Sequence, residues 1–385
     1  MEKIKICLVS DTVYDVNGVS RFIQDFSKEA LVLKKDFCVI TSTKKTHYEK
    51  ISNIKNIKPL FTMKMPFYKS LDLVLPNFFK IKNEIKKLNP DLLHISTPGT
   101  VGLCALISAK ILKIPVVGIY HTDFPAYMYK NTKSKFVKKG TILFLKLFYK
   151  SYKAIFSRSE EYFKTIEEQL SFKKEDLYTL KAGIDIKNFD KKFKDDSIWE
   201  KYDIKQEKFK FLYTGRISVE KNVDILLKVW MENFFKECEL ILVGDKEIEF
   251  LDKDKLKKSN ITLVGRKQEL ELSQLYASSD CFIFPSTTDT LGQVVMEAMA
   301  SGLPVIITNE GGPKTFVKDD CGYIIDLNNE TQLSEAILKM SKKDEVYYSK
   351  KEKAYSFMRD KSISHSFLDF WNKNQEILEK LKVRN

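Results

Sequence analysis

The sequence predicts an α/β protein with two doubly wound domains, each built on a parallel sheet with helices on both faces. Strand-like apolar runs alternate with helical patterns along the chain. These runs are continuous in Val, Ile and Leu, which is typical of strands buried on both faces. A chain of 385 residues is also too long for one ordinary hydrophobic core, so two domains are expected.

The strand-like runs form two series, and many are separated by stretches long enough for a crossover helix. The first series is IKICLVS, FCVIT, DLLHIS, PVVGIYH and KAIFSRS, and the second is KFLYTG, LILVG, ITLVG, CFIFPS and PVIIT. The first series stops near 180–190, which places one domain at 1–185 and the next at 186–355. The remaining segment, 356–385, is charged and helical in pattern and predicts a terminal helix that packs back toward the first domain.

The composition disfavours several classes of protein. The longest apolar runs, such as TILFLKLFY, contain Lys or fall well short of the roughly 20 residues of a membrane-spanning helix. The N-terminus enters a strand pattern almost at once and leaves no room for a signal peptide, which predicts a cytoplasmic protein. The six cysteines include no C-x-x-C pair and no metal-ligand cluster is visible, so neither a metal nor a cofactor is expected.

The net charge of +13 is concentrated in one region of the chain. Residues 1–185 hold 32 Lys plus Arg against 18 acids, whereas residues 186–385 hold 33 against 34. Within the first half, residues 51–153 carry 18 basic residues and 4 acids. Such a field attracts a polyanion, which would be membrane lipid, nucleic acid or an acidic substrate.

Two acids in STTDTLGQVVMEAMASG, residues 286–302, are candidates for ligand binding. The Thr and Gly residues around Asp289 argue against helix there, so Asp289 is predicted on a loop and Glu297 inside the helix that follows. Both carboxylates would face whatever binds at the start of that helix, where backbone N–H groups attract phosphate. As isolated residues, the two are also consistent with a cap and a surface acid.

The second domain places two cations in a loop between a strand and a helix, in FLYTGRISVEKNVDILL. Arg216 can hold oxygen atoms in pairs and Lys221 adds a point charge, so together they suit a diphosphate. Simple solvation at the surface is the alternative. With Asp289 and Glu297 as acceptors for sugar hydroxyls, the four residues describe a nucleotide-sugar pocket.

The loop after the first strand is a second candidate for anion binding. Asn17 and Gly18 predict a turn, and Ser20 is the predicted cap of the following helix. A purely structural turn explains the same residues, and the dinucleotide fingerprint G-x-G-x-x-G is absent.

Taken in order, six motifs resemble the retaining glycosyltransferases of family four, which have the two-domain GT-B architecture. They are NGVSRF at 17–22, HTDF at 121–124, AGID at 182–185, GRISVEKN at 215–222, FPSTTDTLGQVVMEAMASGLPV at 284–305 and EGGP at 310–313. The resemblance covers nearly the whole chain, and the block at 284–305 is its most specific part. It implies two Rossmann-like domains that face a cleft.

The resemblance also implies a role for each candidate residue. Arg216 and Lys221 would bind the donor diphosphate and stabilise its charge during transfer, and Glu297 would bind the ribose hydroxyls. No carboxylate is placed as a sugar nucleophile, and the departing diphosphate would help to take the acceptor proton.

The donor sugar is assigned to a second group of residues. Asp289 would bind it, His121 would approach it from the first domain, and Gly18 would let a loop come close to donor and acceptor. The backbone that would also hold the sugar belongs to Leu291, Gly292, Gln293 and Val294.

Three features depart from the usual pattern of the family. Asp289 stands where Glu is usual, Asn17 precedes Gly18 where Gly-Gly is common, and VGDK at 243–246 lacks a second Gly. The Asp beside TLGQVV and the string HTDFPAY resemble the branch that builds glycolipids. That branch includes sulfoquinovosyl- and glucosyl-diacylglycerol synthases and phosphatidylinositol mannosyltransferases.

The basic region has a candidate partner in that branch. A helical pattern near residues 133–153 places Lys135, Lys139, Lys146 and Lys150 along one face. Residues 130–153 contain 8 Lys and no acid. The pattern predicts a surface that binds an anionic membrane, with a buried crossover helix and solvated lysines as the alternative.

These observations predict a cytoplasmic enzyme, peripherally associated with the inner face of the cell membrane. It would transfer a hexose from a UDP- or GDP-linked sugar to an acceptor hydroxyl, with retention and without a metal. The expected acceptor is a membrane lipid such as diacylglycerol or a glycolipid, and a polysaccharide is the alternative. A nucleotide-sugar 2-epimerase and a nucleic-acid-binding protein remain as other classes, although no nucleic-acid motif is recognised and no such partner is expected.

Overall fold

The computed structural model describes residues 4–15, 17–46, 50–65, 68–121, 123–158, 160–248, 253–289 and 291–384. The chain forms two compact units. Unit 1 comprises Met1–Lys181 and Ile363–Asn385, and unit 2 comprises Ala182–Ser362. The first division lies inside the predicted boundary stretch 180–190, and the second follows Ser362 rather than residue 355.

Unit 1 is built on a seven-stranded parallel sheet and a separate two-stranded hairpin. The strands in chain order are β1 (Lys5–Val9), β2 (Asp36–Thr41), β3 (Ile54–Asn56), β4 (Phe61–Met65), β5 (Tyr68–Leu75), β6 (Leu92–Ile95), β7 (Val116–Tyr120), β8 (Ile155–Ser157) and β9 (Leu177–Thr179). The sheet order is β3-β2-β1-β6-β7-β8-β9, and β4 pairs with β5 in antiparallel register. Every residue of β6, β7 and β8 is buried, because helices cover both faces of the sheet.

The helices of unit 1 are α1 (Gly18–Val32), α2 (Phe78–Leu88), α3 (Thr100–Leu112), α4 (Phe124–Thr132), α5 (Lys135–Tyr149) and α6 (Glu161–Leu170), with a short 3₁₀ turn at Lys174–Asp176. Four of them, α1, α2, α4 and α5, directly follow a residue whose side chain accepts a hydrogen bond from a backbone N–H of the first turn. The cap of α1 is Asn17, whose side chain accepts from the Ser20 N–H at 2.8 Å. The prediction that Ser20 caps this helix is therefore wrong. Ser20 lies in the first turn, where its buried hydroxyl is 2.8 Å from the Thr12 hydroxyl.

Unit 2 is built on a six-stranded parallel sheet. Its strands are β10 (Phe209–Thr214), β11 (Cys238–Val243), β12 (Ile261–Leu263), β13 (Cys281–Phe284), β14 (Val305–Thr308) and β15 (Gly322–Ile325). Its helices are α7 (Val223–Asn233), α8 (Lys253–Lys258), α9 (Glu269–Ser278), α10 (Gln293–Ala300), α11 (Glu330–Ser341) and α12 (Glu345–Arg359), with 3₁₀ turns at Lys191–Phe193, Asp196–Tyr202, Val219–Lys221 and Pro313–Thr315. The sheet order is β12-β11-β10-β13-β14-β15, so the direction of winding reverses between β10 and β13. Two parallel, doubly wound sheets confirm the predicted fold class.

The C-terminal helix, α13 (Ile363–Arg384), belongs to unit 1. Its buried Phe367 lies edge-on to Phe26 and Phe37, with ring centroids 5.3 and 5.8 Å apart. This aromatic packing buries one face of α13 against α1 and β2. Within the described ranges, no helix is both long enough and apolar enough to cross a bilayer.

A buried polar pair joins β6 to α13. His94 Nε2 hydrogen-bonds to the Asn374 side-chain oxygen, and both residues are fully buried. The other ring nitrogen, Nδ1, has no hydrogen-bond partner among the described residues. Burial lowers the pKa of His94 to about 3, so the imidazole is neutral in the folded protein at neutral pH.

This pair predicts that unit 1 loses stability in mild acid. Below about pH 6.5 the unfolded chain binds a proton at His94 that the folded chain does not, so stability falls as the pH falls toward the folded pKa. The expected loss from His94 is about 2 kcal/mol between about pH 7.5 and pH 5. Urea unfolding of the wild type and of His94→Gln at both pH values measures it. A drop of equal size in the two proteins would contradict the assignment.

Candidate functional site

The candidate site lies at the carboxyl edge of the unit 2 sheet, where the strand order reverses. Ligands of open α/β sheets bind at such a point, because the loops after the two central strands diverge there. Arg216 and Lys221 follow β10, and Asp289 follows β13. The fold therefore brings together two motifs that lie about 70 residues apart in the sequence.

The loop after β10 runs unusually close to the loop after β11. Gly215 and Gly244 have φ of +141° and +148°, values that L side chains rarely adopt. A Cβ on Gly244 would lie 1.8 Å from the Gly215 carbonyl oxygen, so only glycine fits at this position. The Tyr213 hydroxyl donates to the Arg216 carbonyl at 2.7 Å and fixes the start of the loop.

Lys221 and Asp289 form the central ion pair of the site. Lys221 Nζ lies 2.8 Å from Asp289 Oδ2, and the two side chains are 13% and 28% exposed. The Ser286 hydroxyl also donates to Asp289 Oδ2. The sequence placed these residues in one pocket, and the structure shows that they are in direct contact.

Glu220 stands between the two cations of the site. Its Oε2 is 2.6 Å from Arg216 Nη2, and its Oε1 is 3.5 Å from Lys221 Nζ. Arg216 also lies 3.6 Å from Glu247. This bridge was not predicted from the sequence. A diphosphate bound by Arg216 and Lys221 would have to compete with the Glu220 carboxylate for both cations.

The two loops are held in register by Asn222, which the sequence argument also missed. Asn222 has φ of +55°, and its side-chain amide donates to the Pro285 carbonyl at 2.9 Å and to the Thr287 hydroxyl at 3.2 Å. The connection fixes the separation of the β10 and β13 loops. Lys221, the preceding residue, is thereby positioned next to Asp289.

Gly292, before α10, and the motif EGGP pack closely on each other. Gly292 has φ of +69°, and a Cβ there would lie 2.4 Å from Cγ of Pro313. Gly311 has φ of +79°, and the N–H of Gly312 donates to the Asp289 carbonyl at 2.6 Å. The second motif thus supports the backbone that carries Asp289.

The start of α10 has free donor capacity of the expected kind. The helix begins at Gln293, after Gly292, and no side chain among the described residues caps it. Gln293 and Val294 carry the first backbone N–H groups of the helix, which gain a positive potential from the helix dipole, and Leu291 precedes Gly292 on the loop. The resemblance assigned this backbone to the donor sugar.

Glu297 lies beneath the site rather than at its surface. Its side chain is 1% exposed, and Oε2 accepts a hydrogen bond of 2.9 Å from the buried Tyr276 hydroxyl. Tyr276 in turn hydrogen-bonds to Thr214 at the end of β10. Asp289 lies on the loop after β13 and Glu297 lies inside α10, as the sequence predicts, and the burial of Glu297 is what the tertiary structure adds.

Unit 1 carries the remaining two candidates at the carboxyl edge of its own sheet. His121 directly follows β7, and its Nε2 lies 2.7 Å from the Ser96 hydroxyl. Burial and the nearby charge of Arg158 lower the pKa of His121 to about 3, so the ring is neutral at neutral pH. At Gly18 a Cβ would meet no atom within 4 Å, which leaves open space at the start of α1.

The four lysines assigned to a membrane surface are on α5. Lys135, Lys139, Lys146 and Lys150 are all exposed. The helix also exposes four large apolar side chains, which are Phe136 (89%), Leu143 (59%), Phe144 (47%) and Leu147 (62%). Only the structure shows which apolar side chains of α5 are exposed, because burial of one face of a helix cannot be read from its own residues.

Two protein-family models match the chain in succession. Residues 16–188 match Glycosyltransferase Family 4, and residues 194–357 match Glycosyl transferases group 1. Together the matches cover most of the chain, including every strand of the two parallel sheets except β1. The chain is a family-four glycosyltransferase.

The glycosyltransferase is similar to several characterised proteins. It is 31% identical to a sulfoquinovosyl transferase of Arabidopsis thaliana over 66% of this chain and 50% of that protein, so it spans about half of the length of that relative. It is 24% identical to a GDP-mannose-dependent alpha-mannosyltransferase of Mycobacterium tuberculosis over 82% of this chain and 81% of that one. It is 25% identical to an alpha-monoglucosyldiacylglycerol synthase of Streptococcus pneumoniae over 79% and 70%. The predicted resemblance to glycolipid-synthesising members is confirmed.

Solved structures share the fold of the glycosyltransferase. A glycosyltransferase from Rickettsia africae superposes with a TM-score of 0.73 at 19% identity, over 98% of this chain and 99% of that one. The Anabaena protein HepE in complex with UDP gives 0.72 at 16% identity, over 99% and 100%. At these identities the likeness establishes the GT-B type of fold.

Proposed function

We propose that this glycosyltransferase moves a hexosyl group from a UDP- or GDP-linked sugar to a hydroxyl of a membrane lipid, with retention at the anomeric carbon. The observation that carries the proposal is the contact of Lys221 with Asp289 at the switch point of the unit 2 sheet, beside Arg216 and the uncapped start of α10. This grouping sets cations for a diphosphate next to an acceptor for sugar hydroxyls.

In this proposal the chain acts mainly by electrostatic stabilisation. Bond cleavage leaves negative charge on the nucleoside diphosphate, and Arg216 and Lys221 stabilise it where it develops. They are freed for this task when the diphosphate replaces Glu220 between them. Asp289 orients the sugar by accepting a hydrogen bond from a ring hydroxyl, which positions the anomeric carbon for attack.

Retention follows in this proposal from attack on the face from which the diphosphate leaves. The acceptor hydroxyl bonds to the anomeric carbon as the bond to the diphosphate breaks, and its proton passes to a diphosphate oxygen. His121, neutral and bonded to Ser96, contributes a polar contact to the sugar and no charge. The two side-chain cations supply the positive charge, so we expect turnover to continue in excess EDTA.

The lipid acceptor is supported by the relatives and by two surfaces of unit 1. One of the similar proteins, the alpha-monoglucosyldiacylglycerol synthase of Streptococcus pneumoniae, is named for a glycolipid product. The first surface is α5, whose exposed lysines flank exposed apolar side chains. This combination suits the headgroup zone of an anionic bilayer.

The second surface is the β4–β5 hairpin. Phe61 pairs with Leu75 and Met63 pairs with Leu73, so all four side chains lie on one face of the ribbon. Their exposed fractions lie between 40% and 56%. An exposed apolar face on a basic region supports peripheral binding at the inner face of the cell membrane.

The decisive assay offers the purified enzyme a panel of nucleotide sugars with total membrane lipid. We expect one donor to yield a glycolipid whose anomeric configuration equals that of the donor, as read by NMR. An epimerised donor would identify a 2-epimerase instead, and transfer only to polysaccharide would move the acceptor out of the membrane.

The two acids are expected to act on different parts of the donor. Asp289→Asn should weaken binding of the intact sugar donor by about 10- to 100-fold and leave binding of free UDP or GDP nearly unchanged, because a charged hydrogen bond contributes about 1.5 to 3 kcal/mol. Glu297→Gln should weaken binding of the intact donor and of free UDP or GDP alike, because both ligands carry the ribose. Calorimetry with each ligand measures the difference.

The burial of Glu297 gives a clear way to contradict the prediction for Glu297→Gln. Ribose hydroxyls reach its carboxylate only if side chains above it move, since it is 1% exposed. If Glu297→Gln lowers the unfolding temperature but binds free nucleotide normally, Glu297 serves Tyr276 and α10 rather than the ribose. Tyr276→Phe is the matched variant, because it removes the same hydrogen bond and keeps the carboxylate.

A further inference from the structure

Arg158 is a half-buried cation of unit 1 that the proposed mechanism does not use. It directly follows β8, at the same carboxyl edge of the sheet as His121 after β7 and Ser96 after β6. Its guanidinium lies over the ring of Phe22, with the ζ carbon 4.3 Å from the ring centroid. The same ring meets His121 edge-on at 5.8 Å, so Arg158 and His121 are neighbours.

Among the residues that the structure describes, the guanidinium has no counter-ion. Across the described ranges, no carboxylate oxygen lies within 4.0 Å of Arg158 and no side chain or carbonyl accepts a hydrogen bond from it. The acid whose charge favours ionised Arg158 is Asp25, and that carboxylate lies 3.9 Å from Arg21. By contrast, Arg216 and Arg266 each contact a carboxylate.

A charged guanidinium in this position costs free energy unless an anionic group pairs with it. Burial lowers the pKa of Arg158 to about 10, which reports that the charged form is poorly solvated. The Phe22 ring stabilises the positive charge from the flat face of the guanidinium. The N–H donors lie at the edge of the guanidinium and need hydrogen-bond acceptors there. An oxyanion accepts from those N–H groups in pairs and supplies the missing charge.

We propose that Arg158 binds an oxyanion carried by a substrate, beside His121 and Ser96 at the carboxyl edge of the unit 1 sheet. The inference rests on the proposed function for the nature of that substrate, but the ion site itself does not depend on it. The oxyanion has two possible sources. It is the phosphate of an anionic lipid headgroup that accepts the sugar, or it is a carboxylate or sulfonate on the donor sugar.

The ion site is tested with inorganic phosphate titrated into the full chain at constant ionic strength. The measurements use protein that carries Lys221→Gln, a change that weakens the proposed diphosphate site. Phosphate binding at Arg158 is thereby separated from phosphate binding at the diphosphate site. There Arg158→Met should raise the Kd for phosphate by about 10-fold or more, because the charged donor is lost while apolar packing on Phe22 is kept. Arg158→Lys should retain part of the affinity.

Lys164→Met is the matched control, since Lys164 is 84% exposed on the adjacent α6 and its loss removes the same charge. It should leave the Kd unchanged. Equal phosphate binding with and without Arg158 would overturn the proposal, as would an absence of binding in the Lys221→Gln background. The diphosphate assignment is tested separately by nucleotide binding to the Lys221→Gln protein. Unchanged nucleotide affinity in that protein would show that the diphosphate assignment is wrong.

A kinetic arm identifies the source of the oxyanion. If the headgroup is the source, Arg158→Met raises KM for a phosphatidylglycerol-type acceptor by about 10-fold and leaves KM for a neutral diacylglycerol acceptor unchanged. If the donor is the source, the rise appears in KM for an acid-sugar donor and is absent for its neutral counterpart. Equal KM values for wild type and Arg158→Met with every pair would overturn a substrate role.

Discussion

Lys221→Ala is expected to lower kcat by about 100-fold or more while the protein stays folded. The reason is that Lys221 is pre-organised beside Asp289, and removal of one pre-organised group that stabilises developing charge costs about 2.7 to 4 kcal/mol of the barrier. Arg216→Ala should have an effect in the same direction. Steady-state kinetics at saturating donor, with the thermal unfolding temperature of each variant, measure the result.

Lys339→Ala provides the matched control for this loss. Lys339 is also in unit 2 and lies 3.3 Å from Glu335 on α11, so its replacement removes an ion pair without touching the site. Exposed pairs of this kind contribute about 0.3 to 0.5 kcal/mol, so kcat and stability should barely change. Near-normal turnover in both Lys221→Ala and Arg216→Ala would show that the diphosphate is not held at this point.

Replacement of Lys135, Lys139, Lys146 and Lys150 by Gln is expected to abolish most binding to anionic vesicles. A lysine near an anionic bilayer contributes about 1 kcal/mol, so four together should change the vesicle affinity by about 100-fold or more at low salt. Binding of the parent should fall as salt rises, because charges are screened beyond about 8 Å at physiological ionic strength. Co-sedimentation with neutral and anionic vesicles measures both effects.

The control is a variant that loses the same charge from unit 2. Four exposed lysines are replaced by Gln in it, which are Lys205, Lys257, Lys339 and Lys353. This protein should sediment like the parent. The α5 variant should still bind donor nucleotide, because the proposed diphosphate site is in unit 2. If the α5 variant and the parent sediment alike with anionic vesicles, α5 is an ordinary crossover helix, and the lipid acceptor loses its main structural support.

Strands within continuous apolar runs were predictable from local sequence, and β3 and β9 were not. Runs such as LILVG and CFIFPS are continuous in apolar residues because β11 and β13 are covered on both faces. β12 has only three residues, but the run ITLVG predicted it. β3 (IKN) and β9 (LYT) are equally short and lack such a run, so pairing with a neighbour is what makes each of them a strand.

The hairpin β4–β5 shows the same limit in another form. Its apolar residues at 61, 63, 73 and 75 alternate with others, but only the register that pairs Phe61 with Leu75 shows that they form one face. Whether such a face is buried or exposed depends on what packs against it. The same holds for α5, where Leu145 is buried and Leu143 is exposed although both are Leu in one helix.

Of the candidate site, the sequence by itself determined which residues carry charge and which loops are tight. Arg216, Lys221 and Asp289 could be chosen because side-chain chemistry is local, and the tight backbone at Gly292 suits glycine because positive φ is a property of single residues. Only the tertiary structure decided the partners. Parallel winding placed the β10 and β13 loops at one edge of a sheet, and that placement put Lys221 against Asp289 and Glu220 between the two cations.

The tertiary structure also decided burial, which no local pattern specifies. Glu297 is a carboxylate in a helix by sequence, and it lies under the site because α10 packs within the core with Tyr276 above its side chain. Arg158 is one basic residue among many by sequence, and it is distinctive because the fold sets it over Phe22 with no carboxylate of the described part of the chain within 4.0 Å. The free energy of a charge depends on its solvation and its neighbours, and both are set by residues that lie far away along the chain.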